Sequence, residues 1–93
     1  MTERNTTIAS RVGLHARPAA IFAEAAGNLP LEVTIALEGV PESEAVDASS
    51  MLSLMGLGAT HGTTVVLRAQ GDGADEALDS LVHILQTDHD AHN

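Results

Sequence analysis

Five histidines are the side chains of this chain best suited to chemistry, because the sequence contains no cysteine, lysine or tyrosine. They are dispersed, so catalysis by several groups in one site is hard to assemble from them. His61 precedes a glycine at the start of a predicted strand, and His83 falls beside the apolar stripe of the last predicted helix. His89 and His92 lie in a polar terminal segment that we expect to be solvated. The sequence identifies no partner for His61 or His83.

His15 differs because it directly precedes a predicted helix start, where backbone N–H groups lack intrahelical partners and the macrodipole adds partial positive charge. The N–H groups of Ala16 and Arg17 would hold an anion on the imidazole, such as the phosphoryl group of a phosphohistidine. The same field disfavours imidazolium and keeps the ring neutral and nucleophilic. The Arg17 side chain would add a charge-assisted fork to the phosphoryl oxygens. Spacing alone also fits a plainer interpretation, in which His15 merely precedes a helix and Arg17 is solvated.

The energetics of such a site favour a carrier over a hydrolase. A helix terminus contributes about 0.3–2 kcal/mol toward an anion, which accommodates a phosphoryl group without trapping it. A chain of 93 residues has no room for a separate catalytic domain. We therefore predict a stoichiometric carrier that needs neither a cofactor nor a metal ion, rather than a stand-alone enzyme.

Composition excludes several classes of partner. Thirteen acidic residues against four arginines leave a formal charge of −9, the wrong sign for binding a nucleic-acid backbone. No apolar run is long enough to span a membrane, and the first residues lack the apolar stretch of a signal peptide. The absence of cysteine excludes disulfides and suits a reducing compartment. These features predict a cytoplasmic protein with no nucleic-acid partner and no membrane insertion. We also expect a monomer.

Hydrophobic periodicity and turn residues predict the order β-α-β-β-α-β-α. The predicted strands are Thr6–Ser10, Leu31–Glu38, Ala45–Ala48 and Thr63–Ala69, and the predicted helices are Ala16–Ala26, Met51–Met55 and Ala74–Leu85. Ser49 or Ser50 is the expected cap of the second helix. The order predicts an α+β fold in which three helices cover one face of a four-stranded antiparallel sheet and leave the other, half-polar face in water. Residues 1–93 are expected to form one domain, with a frayed tail at 88–93.

Two segments resemble those of a known family. Gly13-Leu-His-Ala-Arg-Pro-Ala-Ala20 resembles the active-site motif of HPr, the histidine-containing phosphocarrier of the bacterial phosphoenolpyruvate:sugar phosphotransferase system. Ser50-Met-Leu-Ser-Leu-Met-Gly-Leu-Gly58 resembles the second helix of the family and the turn after it. The order of elements is that of its open-faced β-sandwich. The resemblance extends to about Leu85.

The resemblance implies that His15 accepts a phosphoryl group at Nδ1 from phosphorylated enzyme I, which draws it from phosphoenolpyruvate. His15 would then donate it to the IIA domains of sugar permeases. Arg17 matches the arginine that assists the phosphoryl group. Met51, Leu52 and Met55 fall where the family presents an apolar docking patch. Core packing of a short helix is the plainer interpretation, but so short a helix cannot bury every apolar side chain.

Ser50 aligns with a serine that a kinase modifies for regulation in some bacterial groups, although helix capping is the interpretation we favour. The absence of lysine, with Glu24 and Ser53 where basic residues are common, puts partner affinity in question without affecting the fold. Two alternatives stay open. One is a regulatory binding module that acts through Ser50 phosphorylation, and the other is a carrier for a non-sugar branch, such as nitrogen-linked regulation or a dihydroxyacetone kinase relay.

Overall fold

A computed structural model of the chain describes residues 1–11, 13–14 and 16–87. The strands are β1 (Thr2–Thr7), β2 (Val33–Leu37), β3 (Val46–Asp47) and β4 (Thr64–Ala69), and the helices are α1 (Ala16–Gly27), α2 (Met51–Gly56) and α3 (Ala74–Leu85). A 3-10 turn, Glu42–Glu44, precedes β3. The predicted order and α+β class are confirmed. Val12, His15 and the predicted frayed tail at 88–93 lie outside the described residues.

The four strands form one antiparallel sheet in the order β1-β4-β2-β3. The β-branched pattern that predicts β4 gives a central strand, which pairs with β1 on one side and β2 on the other. The predicted hairpin between β2 and β3 is present, and the backbone N–H of Ala48 extends it by donating to the carbonyl of Val33 at 2.9 Å.

The first strand is where the prediction is wrong. It was expected at Thr6–Ser10, but it runs from Thr2 to Thr7, pairing along its whole length with β4. Its side chains are polar on both faces, so hydrophobic alternation could not reveal it. Ile8, inside the predicted segment, lies just beyond the strand as a buried core residue, and its backbone N–H donates to the carbonyl of Thr63.

The three helices contribute buried side chains to the core that lies against one face of the sheet. Along α3 the predicted stripe is confirmed, with Leu78 and Leu81 fully buried. Helix α3 packs against β1 and β4, while α1 packs against α2 and α3. Phe22 of α1, the one aromatic residue of the sequence, is fully buried in the same cluster. Within the part of the chain that the structure describes, no helix has the length and apolar character to cross a membrane.

The opposite face of the sheet is not simply open to water. Ala36 and Val66, neighbours across β2 and β4, are both buried there and lie outside the main core cluster. Asn5 of β1 reaches the side chain of Glu38, which follows β2, with 3.5 Å between the amide nitrogen and the carboxylate oxygen. Because β1 and β2 flank β4, this contact crosses over the central strand. Polar side chains therefore help to cover the small apolar centre of this face.

Carboxylates are uniformly on the surface. Every Asp and Glu among the described residues is exposed, in a chain whose formal charge is −9. Net charge of one sign destabilises a compact state through self-repulsion. Added salt screens that repulsion, because the Debye length falls from about 10 Å at 0.1 M to about 3 Å at 1 M.

We therefore expect the thermal unfolding midpoint to rise as KCl is increased from about 0.1 M to about 1 M. Far-UV circular dichroism is the suitable probe, since the chain has no Trp or Tyr. The double variant Glu42→Gln, Glu44→Gln, on the exposed 3-10 turn, should show a higher midpoint at low salt and a smaller rise. A midpoint that stays level or falls across this range would contradict the prediction.

Candidate functional site

The loop that leads to α1 is held by backbone contacts. The N–H of Gly13 donates to the carbonyl of Ser10, and the N–H of Leu14 donates to the carbonyl of Ala59, both at 3.0 Å. Gly13 has φ of 77°, and a Cβ built there would lie 2.6 Å from the oxygen of Ala59 and 2.9 Å from Cα of Thr60. Only glycine allows this close approach, so the position fixes how the loop enters the helix.

The start of α1 is suited to an anion. Ala16 is the first residue of the helix, Arg17 the second and Pro18 the third, so the proline stands in the first turn, where its missing N–H costs no intrahelical bond. The first turn contains no acidic residue that would oppose an anion. Arg17 is exposed, and Pro18 is buried. His15, the predicted phosphoryl acceptor, directly precedes this turn in the sequence but lies outside the described residues.

Ser50 caps α2. Its Oγ accepts a hydrogen bond from the backbone N–H of Ser53 at 3.2 Å, so the preferred cap prediction is confirmed at this residue. Just upstream, Asp47 accepts from the backbone N–H of Ser49 at 2.9 Å and from its hydroxyl at 2.7 Å. These two bonds hold the pKa of the Asp47 carboxyl below its usual value, and the bond from the backbone N–H has the larger effect. The chain is thus turned tightly into α2 by local polar contacts.

Helix α2 divides its apolar side chains between core and solvent. Leu54 is fully buried, whereas Leu52 is 83% exposed and Met51 is 40% exposed. Met55 is half-buried and packs against the core. Of the three predicted docking residues, two therefore present a free apolar surface, and Met55 contributes only in part.

The contacts at their ends show that α1 and α2 run antiparallel. A Cβ at Gly27, the last residue of α1, would lie 3.7 Å from Cβ of Ser49, just before α2. At the other end, Leu14, before α1, bonds to Ala59, after α2. Hence the carboxyl end of α2 lies toward the start of α1, and Met55 is the member of the patch on that side. Met51 and Ser50 lie toward the far end of α1.

The basic side chains of this chain are four arginines. Arg4 of β1 and Arg68 of β4 form ion pairs, with N to O distances of 3.0 Å for both Arg4 pairs and 2.7 Å for the Arg68 pair. Their partners are Asp75, Asp79 and Glu3. The hydrogen bonds that Arg4 donates to Asp79 and, with a smaller effect, to Asp75 raise the pKa of Arg4. Arg11 and Arg17, both exposed, flank His15 in the sequence. Arg17, the second residue of α1, is the arginine that stands in the first turn of the candidate site.

The remaining described histidines, His61 and His83, lie on the surface. His83 is exposed on α3, and His61 is exposed in the turn before β4. Sequence reasoning missed one contact, because Nδ1 of His61 lies 3.2 Å from the carbonyl oxygen of Ala9 in the loop after β1. No pattern in the sequence pairs residues so far apart. Among the residues described, no group of three His, Cys, Asp or Glu side chains could hold a metal ion.

Fold and site together define a small open-faced α+β sandwich that presents a helix start of the kind that binds anions. The family model described as the PTS HPr component phosphorylation site matches residues 2–87. The phosphocarrier protein HPr of Haloferax volcanii is 45% identical over 85 residues, covering 91% of this chain and 93% of that protein. The HPr of Streptomyces coelicolor is 43% identical over 86 residues, with 91% and 88% covered.

A solved structure of an HPr supports the same assignment. The crystal structure of HPr-C-His from Thermoanaerobacter tengcongensis superposes with a TM-score of 0.79 at 34% identity, covering 92% of each chain. The chain therefore belongs to the HPr family, the phosphocarriers of the phosphotransferase system.

Proposed function

We propose that this chain is a cytoplasmic general phosphocarrier that accepts a phosphoryl group on His15 from phosphorylated enzyme I and donates it to IIA domains of sugar permeases. The observation that carries the proposal is the start of α1, which follows His15 directly, has no acidic side chain in its first turn and exposes Arg17. Family membership supports the same role.

Transfer to His15 requires no proton to move. With the proton of the neutral imidazole on Nε2, the lone pair of Nδ1 attacks phosphorus, and the donor atom leaves with the electron pair of the broken bond. A phosphorus–nitrogen bond forms on His15. The N–H groups of Ala16 and Arg17 and the Arg17 guanidinium stabilise the added negative charge. The reverse sequence of bond changes passes the group to an acceptor.

Reversibility follows from the modest strength of these contacts. A helix terminus contributes about 0.3–2 kcal/mol toward an anion, so the phosphoryl group is held without becoming a thermodynamic trap. A partner docked on Met51 and Leu52 would find their apolar atoms already exposed. Apolar docking also fits a chain with no lysine, because few cationic contacts are available to steer an acidic partner.

The test is phosphorylation by enzyme I and labelled phosphoenolpyruvate. We expect an acid-labile adduct on the wild-type chain, with a ³¹P chemical shift typical of the Nδ1 isomer, and transfer of the label on addition of a IIA domain. His15→Ala should take up no label. His83→Ala, which removes an exposed histidine of α3, is the matched control and should be labelled like the wild type. Equal labelling of His15→Ala would refute the assignment.

The choice of acceptor separates the sugar branch from the non-sugar branch. The phosphorylated chain is offered in parallel to IIA domains of sugar permeases, to nitrogen-linked IIA domains and to the acceptor subunit of a dihydroxyacetone kinase. Our proposal predicts fastest discharge to the sugar IIA domains. Faster discharge to either of the other acceptors would assign the chain to that branch, with His15 still as the phosphoryl acceptor.

A further inference from the structure

The segment between α2 and β4 supports the loop that leads to α1. The N–H of Gly62 donates to the carbonyl of Ile8 at 2.9 Å, and the N–H of Ile8 donates to the carbonyl of Thr63 at 2.9 Å. Farther along, the N–H of Leu14 donates to the carbonyl of Ala59 at 3.0 Å. The two segments are therefore joined by backbone bonds at both ends of the loop. Between these points, the carbonyl of Ala9 is met by a side chain.

That side chain is His61. Its Nδ1 lies 3.2 Å from the oxygen of Ala9, while the N–H of Ala9 donates to the carbonyl of Leu85 at the end of α3 at 3.0 Å. A carbonyl oxygen can only accept, so Nδ1 of His61 must carry the proton. Both backbone polar groups of Ala9 are thus engaged, one by α3 and one by the imidazole, and the residue is fixed from two sides.

The turn that carries His61 is itself held firmly. The N–H of Thr63 donates to the carbonyl of Thr60 at 3.0 Å, and the N–H of Thr60 donates to Oγ1 of Thr63 at 3.1 Å. The two threonine hydroxyl oxygens lie 3.0 Å apart. The backbone that carries the ring is therefore held in place by bonds other than the contact with Ala9, and less freedom is lost when the ring forms that contact.

We propose that His61 is a positioning residue for phosphoryl transfer, acting by holding the loop between β1 and α1 in the register that presents His15 to its partners. The inference rests on the proposed function. Its physical basis is that transfer is sensitive to small displacements of the attacking atom, whereas docking depends on the separate apolar surface of α2. Loss of the bond should therefore slow the chemical step and leave partner affinity unchanged.

Steady-state phosphorylation by enzyme I tests this separation. His61→Ala should lower kcat about 2- to 10-fold, the range that corresponds to losing one hydrogen bond, with KM for the carrier unchanged. His61→Asn should restore kcat, because its side-chain nitrogen stands at the same distance along the chain as Nδ1 and can donate to Ala9. Amide exchange of Leu14 should be faster in His61→Ala and slow again in His61→Asn.

The outcomes distinguish the two proposals. If the wild type takes up no label from enzyme I, the proposed function fails. If the wild type is labelled and His61→Ala keeps the wild-type kcat, the positioning role fails alone. A lowered kcat that His61→Asn does not restore, together with a lowered unfolding midpoint, would also overturn it by showing a merely structural effect. His83→Ala again serves as the exposed-histidine control.

Discussion

Gly13→Ala is expected to destabilise the fold by about 2–5 kcal/mol and to slow phosphoryl acceptance in the molecules that still fold. Two costs combine at this residue. The φ of 77° disfavours any side chain, and a Cβ would lie only 2.6 Å from the oxygen of Ala59. Since the neighbouring atoms are backbone, relief requires the loop and the Ala59–Thr60 segment to separate. That separation would break the bond from Leu14 to Ala59.

Gly62→Ala is the matched control. Gly62 has φ of 86°, but a Cβ there meets no atom within 4 Å, so only the backbone strain of about 1–2 kcal/mol applies. Urea titrations followed by far-UV circular dichroism give both free energies of unfolding, and labelling by enzyme I under folding conditions gives the transfer rates. Equal losses of stability in the two variants would contradict the role assigned to close packing at Gly13.

How much of this fold can be predicted from the sequence depends on where each element draws its stability. The stripe along α3 buries one face of a helix, so its spacing alone predicts Ala74–Leu85 with the bounds that the structure has. Strand β1 has no apolar stripe. It is stabilised by pairing with β4, a strand far along the chain, and by contacts such as the Arg4 ion pairs to α3. Local hydrophobic periodicity does not predict pairing between strands so far apart in the chain.

The candidate site also has features that the local sequence predicts and features that depend on tertiary contacts. The helix start after His15, the exposed Leu52 and the Ser50 cap follow from local rules about helix termini and about how much a short helix can bury. The tight approach of Gly13 to Ala59, and the bond from His61 to Ala9, depend on how two distant loops are brought together. The sequence therefore predicts the candidate phosphoryl acceptor, but not the groups that hold the loop before it.

Two leucines of α2 provide the sharpest separation of stability from docking. Leu54→Ala should lower the free energy of unfolding by about 2–5 kcal/mol, because Leu54 is fully buried and its truncation leaves a cavity among core residues. For a domain whose total stability is about 5–15 kcal/mol, this is a large fraction. Leu52→Ala, at a residue 83% exposed, should change stability by no more than about 0.5 kcal/mol.

For phosphoryl transfer we expect the larger effect from Leu52→Ala and the smaller one from Leu54→Ala. Truncating Leu52 removes apolar area that a partner would bury, so KM for the carrier should rise by about 5-fold or more, the effect of losing about 1 kcal/mol at an interface. Leu54→Ala, assayed where it is still folded, should keep a KM close to that of the wild type, because Leu54 presents no surface to a partner. If Leu52→Ala left KM unchanged with both enzyme I and a IIA domain, α2 would not be the docking surface. The partners would then have to recognise the region around Arg17 alone, a cationic contact whose strength, unlike that of apolar docking, falls steeply with added salt.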